Sequence, residues 1–125
     1  MTATRLSLAG ELAQPVASGA TAVYTAQFLD ENGVPIPAAD LLTLTLSITD
    51  PGTGAIVNGA DQVNILNTGR GAVDAQGNLT LSLLSDDTLI TGTLRGVRSL
   101  VFEWTWGANR TGKHEVVFPI MALSV

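Results

Sequence analysis

Leu42, Leu44, Leu46 and Ile48 alternate with Thr43, Thr45, Ser47 and Thr49 along one uninterrupted run. In an extended strand, a period of two places the aliphatic side chains on one face and the hydroxyls on the other. A helix over the same run would scatter the leucines around its circumference. The pattern therefore predicts a sheet with one dry and one wet face. Leu79, Leu81 and Leu83 alternate with Thr80 and Ser82 in the same way.

Three further runs carry the period. Ala22, Tyr24, Ala26 and Phe28 share one face of a segment whose other face holds Thr21, Val23, Thr25 and Gln27. Arg98, Leu100, Phe102, Trp104 and Trp106 oppose Val97, Ser99, Val101, Glu103 and Thr105. Val116, Phe118 and Ile120 oppose Val117 and Met121. The last two segments have apolar residues on both faces, which predicts central strands for both.

Turn residues separate the runs: Asp30–Gly33 with its Asn-Gly pair, Asp50–Gly54 with Pro-Gly, Gln76–Asn78, and Trp106–Gly112. The last predicts a seven-residue connection with a mobile tip, joining the tryptophan strand to the final one. Two short helical turns are expected. One is at Asp61–Asn67, capped by Asp61 with Val63, Ile65 and Leu66 inward; the other is at Ser85–Ile90, capped by Ser85. The result is an all-β, antiparallel sandwich occupying residues 16–125 as one domain, within the size of a single core.

Residues 1–15 read differently. Leu6, Leu8 and Leu12 alternate only in part, and Pro15 interrupts. The segment is either an edge strand or an arm that adds to a neighbouring subunit's sheet. On the second reading, Arg5, Leu6, Leu8 and Leu12 are the candidate partner-binding residues.

Composition excludes more than it assigns. Charged residues make up 14% of the chain against about 25% in a typical domain. A surface so rich in Thr, Ser, Asn and Gly is easily desolvated against another protein. Lys and Arg number 6 against 11 Asp and Glu, for a net charge of −5. Phosphate binding runs on clustered cations, so nucleic acid is not an expected partner. There is no cysteine, hence no disulfide framework. The opening residues lack the charged and apolar regions of a signal peptide, and no apolar run is long enough for a spanning helix.

Catalytic chemistry finds little footing. His114 is the single histidine, and on a strand start it reads as a surface residue rather than a base. One His without Cys does not make an ordinary zinc site. Asp86–Asp87 is an adjacent acidic pair, and the start of a helical turn explains it better than calcium does. Glu103 and Glu115 fall on expected hairpin partners, which offers paired carboxylates, but nothing else resembles a glycosidase site. No catalytic residue, metal or cofactor is expected.

Ile56–Asp61, Val63–Asn67, Gly77–Thr80, Phe102–Trp106 and Thr111–Glu115 together resemble small virion-associated structural proteins of tailed bacteriophages and prophages. The likeness covers about residues 20–123. It implies an immunoglobulin-like β-sandwich assembled into a virion within the bacterial host cytoplasm. The implied role is capsid decoration in many copies, with major capsid or neck proteins and copies of the chain itself as partners. A head–tail connector, neck or tail component is the alternative within that class. A glycan-binding or adhesin module is the alternative outside it, and would need Trp106 as an exposed platform beside the Gly107–Gly112 loop.

Overall fold

The computed structural model describes residues 5–8, by their backbone, together with 16–90 and 95–122. Among the described residues, ten strands form two sheets. The smaller contains β1 (Arg5–Leu8), β3 (Ala22–Leu29), β8 (Asn78–Leu83) and β7 (Gly71–Val73), in that order. The larger runs β2 (Val16–Ala17), β10 (Arg110–Met121), β9 (Arg95–Trp106), β4 (Leu41–Asp50), β5 (Ala55–Ile56). β6 (Val63–Asn64) pairs with β4 beyond β5. All pairings are antiparallel except β2 with β10. One helical turn, α1 (Ser85–Thr88), and one 3-10 turn, Ala38–Asp40, complete the described elements.

The alternating runs build the core. Tyr24, Ala26 and Phe28 of β3 and Leu79, Leu81 and Leu83 of β8 face Leu44, Leu46 and Ile48 of β4 and Leu100, Phe102 and Trp104 of β9; all are buried. Rings bridge the sheets. Tyr24 stacks on Phe102 with centroids 5.6 Å apart, and Phe28 meets Trp104 edge-on at 4.9 Å. Each fully buried side chain of this size contributes about 1.5–3 kcal/mol through the water it no longer orders.

Gly112 lies opposite Trp104 in the β9–β10 register. A Cβ there would stand 2.4 Å from Trp104 Cε2, so the absent side chain leaves the indole its bed. Gly77 has φ 78° and closes the β7–β8 hairpin, where a side chain would meet the Ile36 carbonyl at 2.5 Å.

Several sequence expectations are corrected. Leu42 is 62% exposed, and Leu41 takes its place in the core, because the β4–β9 register shifts between Leu41 and Thr43. The extra residue forms a bulge that turns Leu42 outward. Asp61–Asn67 is not helical. Asn58, Gly59, Gln62 and Asn67 have positive φ, and the segment between runs along β4, with Ile65 N–H donating to Leu44 O at 3.0 Å. Val63, Ile65 and Leu66 do pack on the core, from an extended rather than a helical segment.

The turn at Ser85–Thr88 is present, but Ser85 does not cap it. The Asp87 carboxylate accepts the Leu84 N–H at 2.6 Å instead. The β9–β10 connection is shorter than expected: Trp106 already pairs with Arg110, leaving Gly107–Asn109 as the loop. β9 is central, as predicted, whereas β10 has only two-residue β2 on its other side among the described residues.

Candidate functional site

β1 pairs with β3 of its own chain, with Arg5 opposite Leu29, Leu6 opposite Phe28 and Leu8 opposite Ala26. Three of the four candidate partner-binding residues thus lie on the outer strand of the smaller sheet. Leu12 lies outside the described residues.

The structure draws attention instead to the outer face of the larger sheet. Thr43 and Thr45 of β4, Glu103 and Thr105 of β9, and Thr111 and Lys113 of β10 line an open concavity of about 490 Å³, with Gln62 at its rim. These residues meet because odd-numbered positions of β9 and β10 point outward in one continuous register. The hydroxyls of Thr43 and Thr105 are 2.7 Å apart. Gln62 Nε2 donates to Glu103 Oε1 at 3.4 Å, and Lys113 Nζ lies 3.9 Å from Glu103 Oε2. Gln62 is itself held by its N–H donating to Ser47 Oγ at 2.9 Å. The arrangement offers hydroxyl, amide and one loosely paired carboxylate to whatever lies on it.

Glu103 and Glu115 share this face, but Lys113 lies opposite Glu103 and Val101 opposite Glu115. Glu115 accepts a hydrogen bond from Ser99 Oγ. Each carboxylate therefore has a partner of its own rather than facing the other.

A second open concavity, about 600 Å³, lies between the Asp50–Thr53 turn and residues 95–98. Its rim exposes Leu89 and Val97. Its floor holds Arg98, whose Nε and terminal nitrogens donate to the carbonyls of Asp87 (3.0 Å), Val97 (3.0 Å) and Leu89 (2.8 Å). Asp87 is fully buried behind it. Its Oδ1 accepts from Asn58 Nδ2 at 3.0 Å, its Oδ2 accepts the Leu84 N–H, and Arg70 forms an ion pair with it. Asp86 is exposed. The adjacent acids thus divide, one to solvent and one into a neutralised knot, and do not converge on a cation. Among the described residues no three His, Cys, Asp or Glu cluster as metal ligands.

His114 is half-buried on the inner face rather than at the surface, opposite Phe102. Burial pushes its pKa below the usual imidazole value, and Nε2 has no partner among the described residues. Trp106 is 9% exposed, with the Arg110 guanidinium 5.9 Å above its ring and Arg110 in turn paired with Glu31. The aromatic platform that a sugar site would need is therefore covered.

Sequence reasoning missed the Asp87 knot and the Thr–Gln–Glu–Lys surface. The signal for the second is present in the hydroxyl-bearing positions of β4 and β9, which alternation alone marks only as the wet side of a strand.

The sequence matches no family model and no curated protein. The crystal structure of domains 4 and 5 of the S-layer protein SbsC is similar at 14% identity and a TM-score of 0.38. The match covers 99% of this chain and 54% of that one, so the chain spans about half of that structure. The likeness is too distant to bear on fold family or function.

Proposed function

We propose that the chain is an immunoglobulin-like structural domain of a bacteriophage particle, a capsid-decorating protein held in many copies on a repeating shell. The immunoglobulin-like part of the reading is supported by strand order. β1-β3-β8-β7 corresponds to the A-B-E-D sheet of that fold, and β10-β9-β4 to the G-F-C sheet. The phage part is supported by the resemblance of the loop and hairpin segments described above.

The observation that carries the role is the outer face of the larger sheet. It is sparsely charged, with hydroxyls and the loose Glu103–Lys113 pair at one end and exposed Val97 and Val117 toward the other. Such a face loses little on desolvation, and a repeating lattice multiplies a modest contact into firm retention. The partners are the major capsid or neck proteins. The setting is a virion assembled in the host cytoplasm. A place in the neck or tail is the second reading, since a ring would use the same face.

The test is the solution mass of the purified protein with and without intact or empty phage shells. Saturable binding at a stoichiometry set by the shell lattice is the expected result. Absence of shell binding, or a closed ring of fixed copy number formed without shells, overturns decoration. Deleting residues 1–14 should leave a folded domain if β1 serves the partner. Loss of folding assigns that strand to the domain's own stability.

A further inference from the structure

We propose that the concavity between the Asp50–Thr53 turn and the start of β9 is a binding site for a carboxylate carried on an apolar stem, with the Arg98 guanidinium as its counter-ion.

Arg98 is 7% exposed, and a charge so enclosed is ordinarily met by an opposite charge. Arg70, Arg110 and Lys113 each have a carboxylate beside them. Arg98 has carbonyls, those of Asp87, Val97 and Leu89. Every Asp and Glu except Glu11 lies among the described residues, and none of those forms an ion pair with it. Residues 91–94, which join Ile90 to Arg95, carry no acidic side chain. The three carbonyls fix the guanidinium without neutralising it. A guanidinium has five N–H groups. Three are used, which leaves one on each terminal nitrogen without a partner among the described residues. Two donors in a rigid plane suit the two oxygens of a carboxylate.

The concavity supplies room and walls. Arg98 lines its roughly 600 Å³ together with Arg95, three positions earlier on β9, so the site is cationic in a chain of net charge −5. Asp50 is the one acid of the lining, and its Oδ1 already accepts the Gly52 N–H at 2.9 Å. Leu89 is 50% exposed and Val97 is 39% exposed, and with Pro51 they make the rim apolar. A phosphate would leave further oxygens and a second charge unmet against such walls. Methyl and methylene groups behind a carboxylate gain by covering them.

The proposal stands without the phage reading, and its experiment uses no shells. In an NMR titration of the isotope-labelled full chain, isovalerate should shift the Gly52, Thr53, Val97 and Arg98 Nε–H signals saturably. Acetate, which lacks the stem, should bind about tenfold more weakly. Isovaleramide, which lacks the charge, should leave the signals in place. Asp50→Asn keeps the acceptor of the turn and removes the opposing charge, so isovalerate should bind about threefold tighter. A purely structural role for this cluster would not produce that gain. Thr53→Glu should weaken binding by about the same factor. Arg98→Lys should abolish it; if that variant unfolds, Asp50→Asn and Thr53→Glu still decide. The capped tripeptide acetyl-Leu-Glu-Leu-amide identifies the source. Tighter binding than isovalerate assigns the carboxylate to a partner's side chain, and weaker binding assigns it to a free small acid. Absence of a saturable shift, equal shifts from isovaleramide, inorganic phosphate binding as tightly as isovalerate, or indifference to Asp50→Asn overturns the proposal.

Discussion

Asp87 and Glu103 are both carboxylates with a cation beside them, and the molecule uses them in opposite ways. Asp87 is enclosed, with Arg70, Asn58 and the Leu84 N–H taking up its oxygens and Arg98 gripping its own carbonyl. Glu103 lies on the outer face, where Gln62 and Lys113 approach it loosely. In the interior, desolvation makes each partner indispensable, because removing one strands a buried charge. On the surface, water screens the pair and keeps it exchangeable. The interior carboxylate binds α1 to the loops around Asn58 and Arg70; the surface one stays in exchange with water.

Substitutions should separate the two regions by magnitude. Asp87→Ala is expected to destabilise by about 3–5 kcal/mol in denaturant unfolding. A loss under about 1 kcal/mol would mean that water reaches the knot and that interior and surface are alike. Gly112→Ala, also on the inner face, should cost about 1–3 kcal/mol as the Trp104 ring is pushed from its bed. Near-wild-type stability there would show that the indole repacks without strain.

Acid probes the inner face more gently. The pKa of His114 lies lower in the folded chain than its ordinary 6.5. The unfolded chain therefore takes up the proton first. Stability is full above about pH 6.5 and falls as pH drops through that value toward the lower folded pKa. His114→Gln should flatten unfolding free energy between about pH 7 and 5, above the usual carboxylate range. An unchanged slope would assign it to other groups. Glu103→Gln should be the smallest effect, within about 0.5 kcal/mol. A larger loss would make the outer face part of the fold's support rather than a free surface.

The strands were legible because burial alternates wherever one face is dry: β3, β8 and β9 carry their inward residues at the positions the period dictates. At the start of β4 the pattern pointed to the wrong leucine, since the period selects Leu42 whereas the bulge against Trp106 and Thr105 puts the out-of-phase Leu41 in the core. That β10 has only two-residue β2 beyond it among the described residues was hidden, because apolar residues on both faces report burial above and below the sheet, not neighbours within it. At Asp61–Asn67 the residues themselves argued against a helix, for Asn58, Gly59 and Asn67 tolerate the left-handed backbone they adopt. Asp87 was unreadable because its side-chain partners are remote in sequence, 17 residues away at Arg70 and 29 at Asn58. Of the candidate site, the outward Thr and Glu positions were visible as alternation. Their convergence with Gln62 needed the path of the chain alongside β4.

The parallel pairing of β2 with β10 has a mechanical consequence. A pull that draws β2 toward the beginning of the chain and β10 toward its end slides the two strands past one another. The bonds between them lie across that force and must stretch together rather than part in turn. The β9–β10 hairpin lies behind this junction and feels the load only after it slips. For a pull applied just ahead of β2, the load thus falls first on Val16, Ala17, Ile120 and Met121, two of which, Val16 and Ile120, also belong to the core.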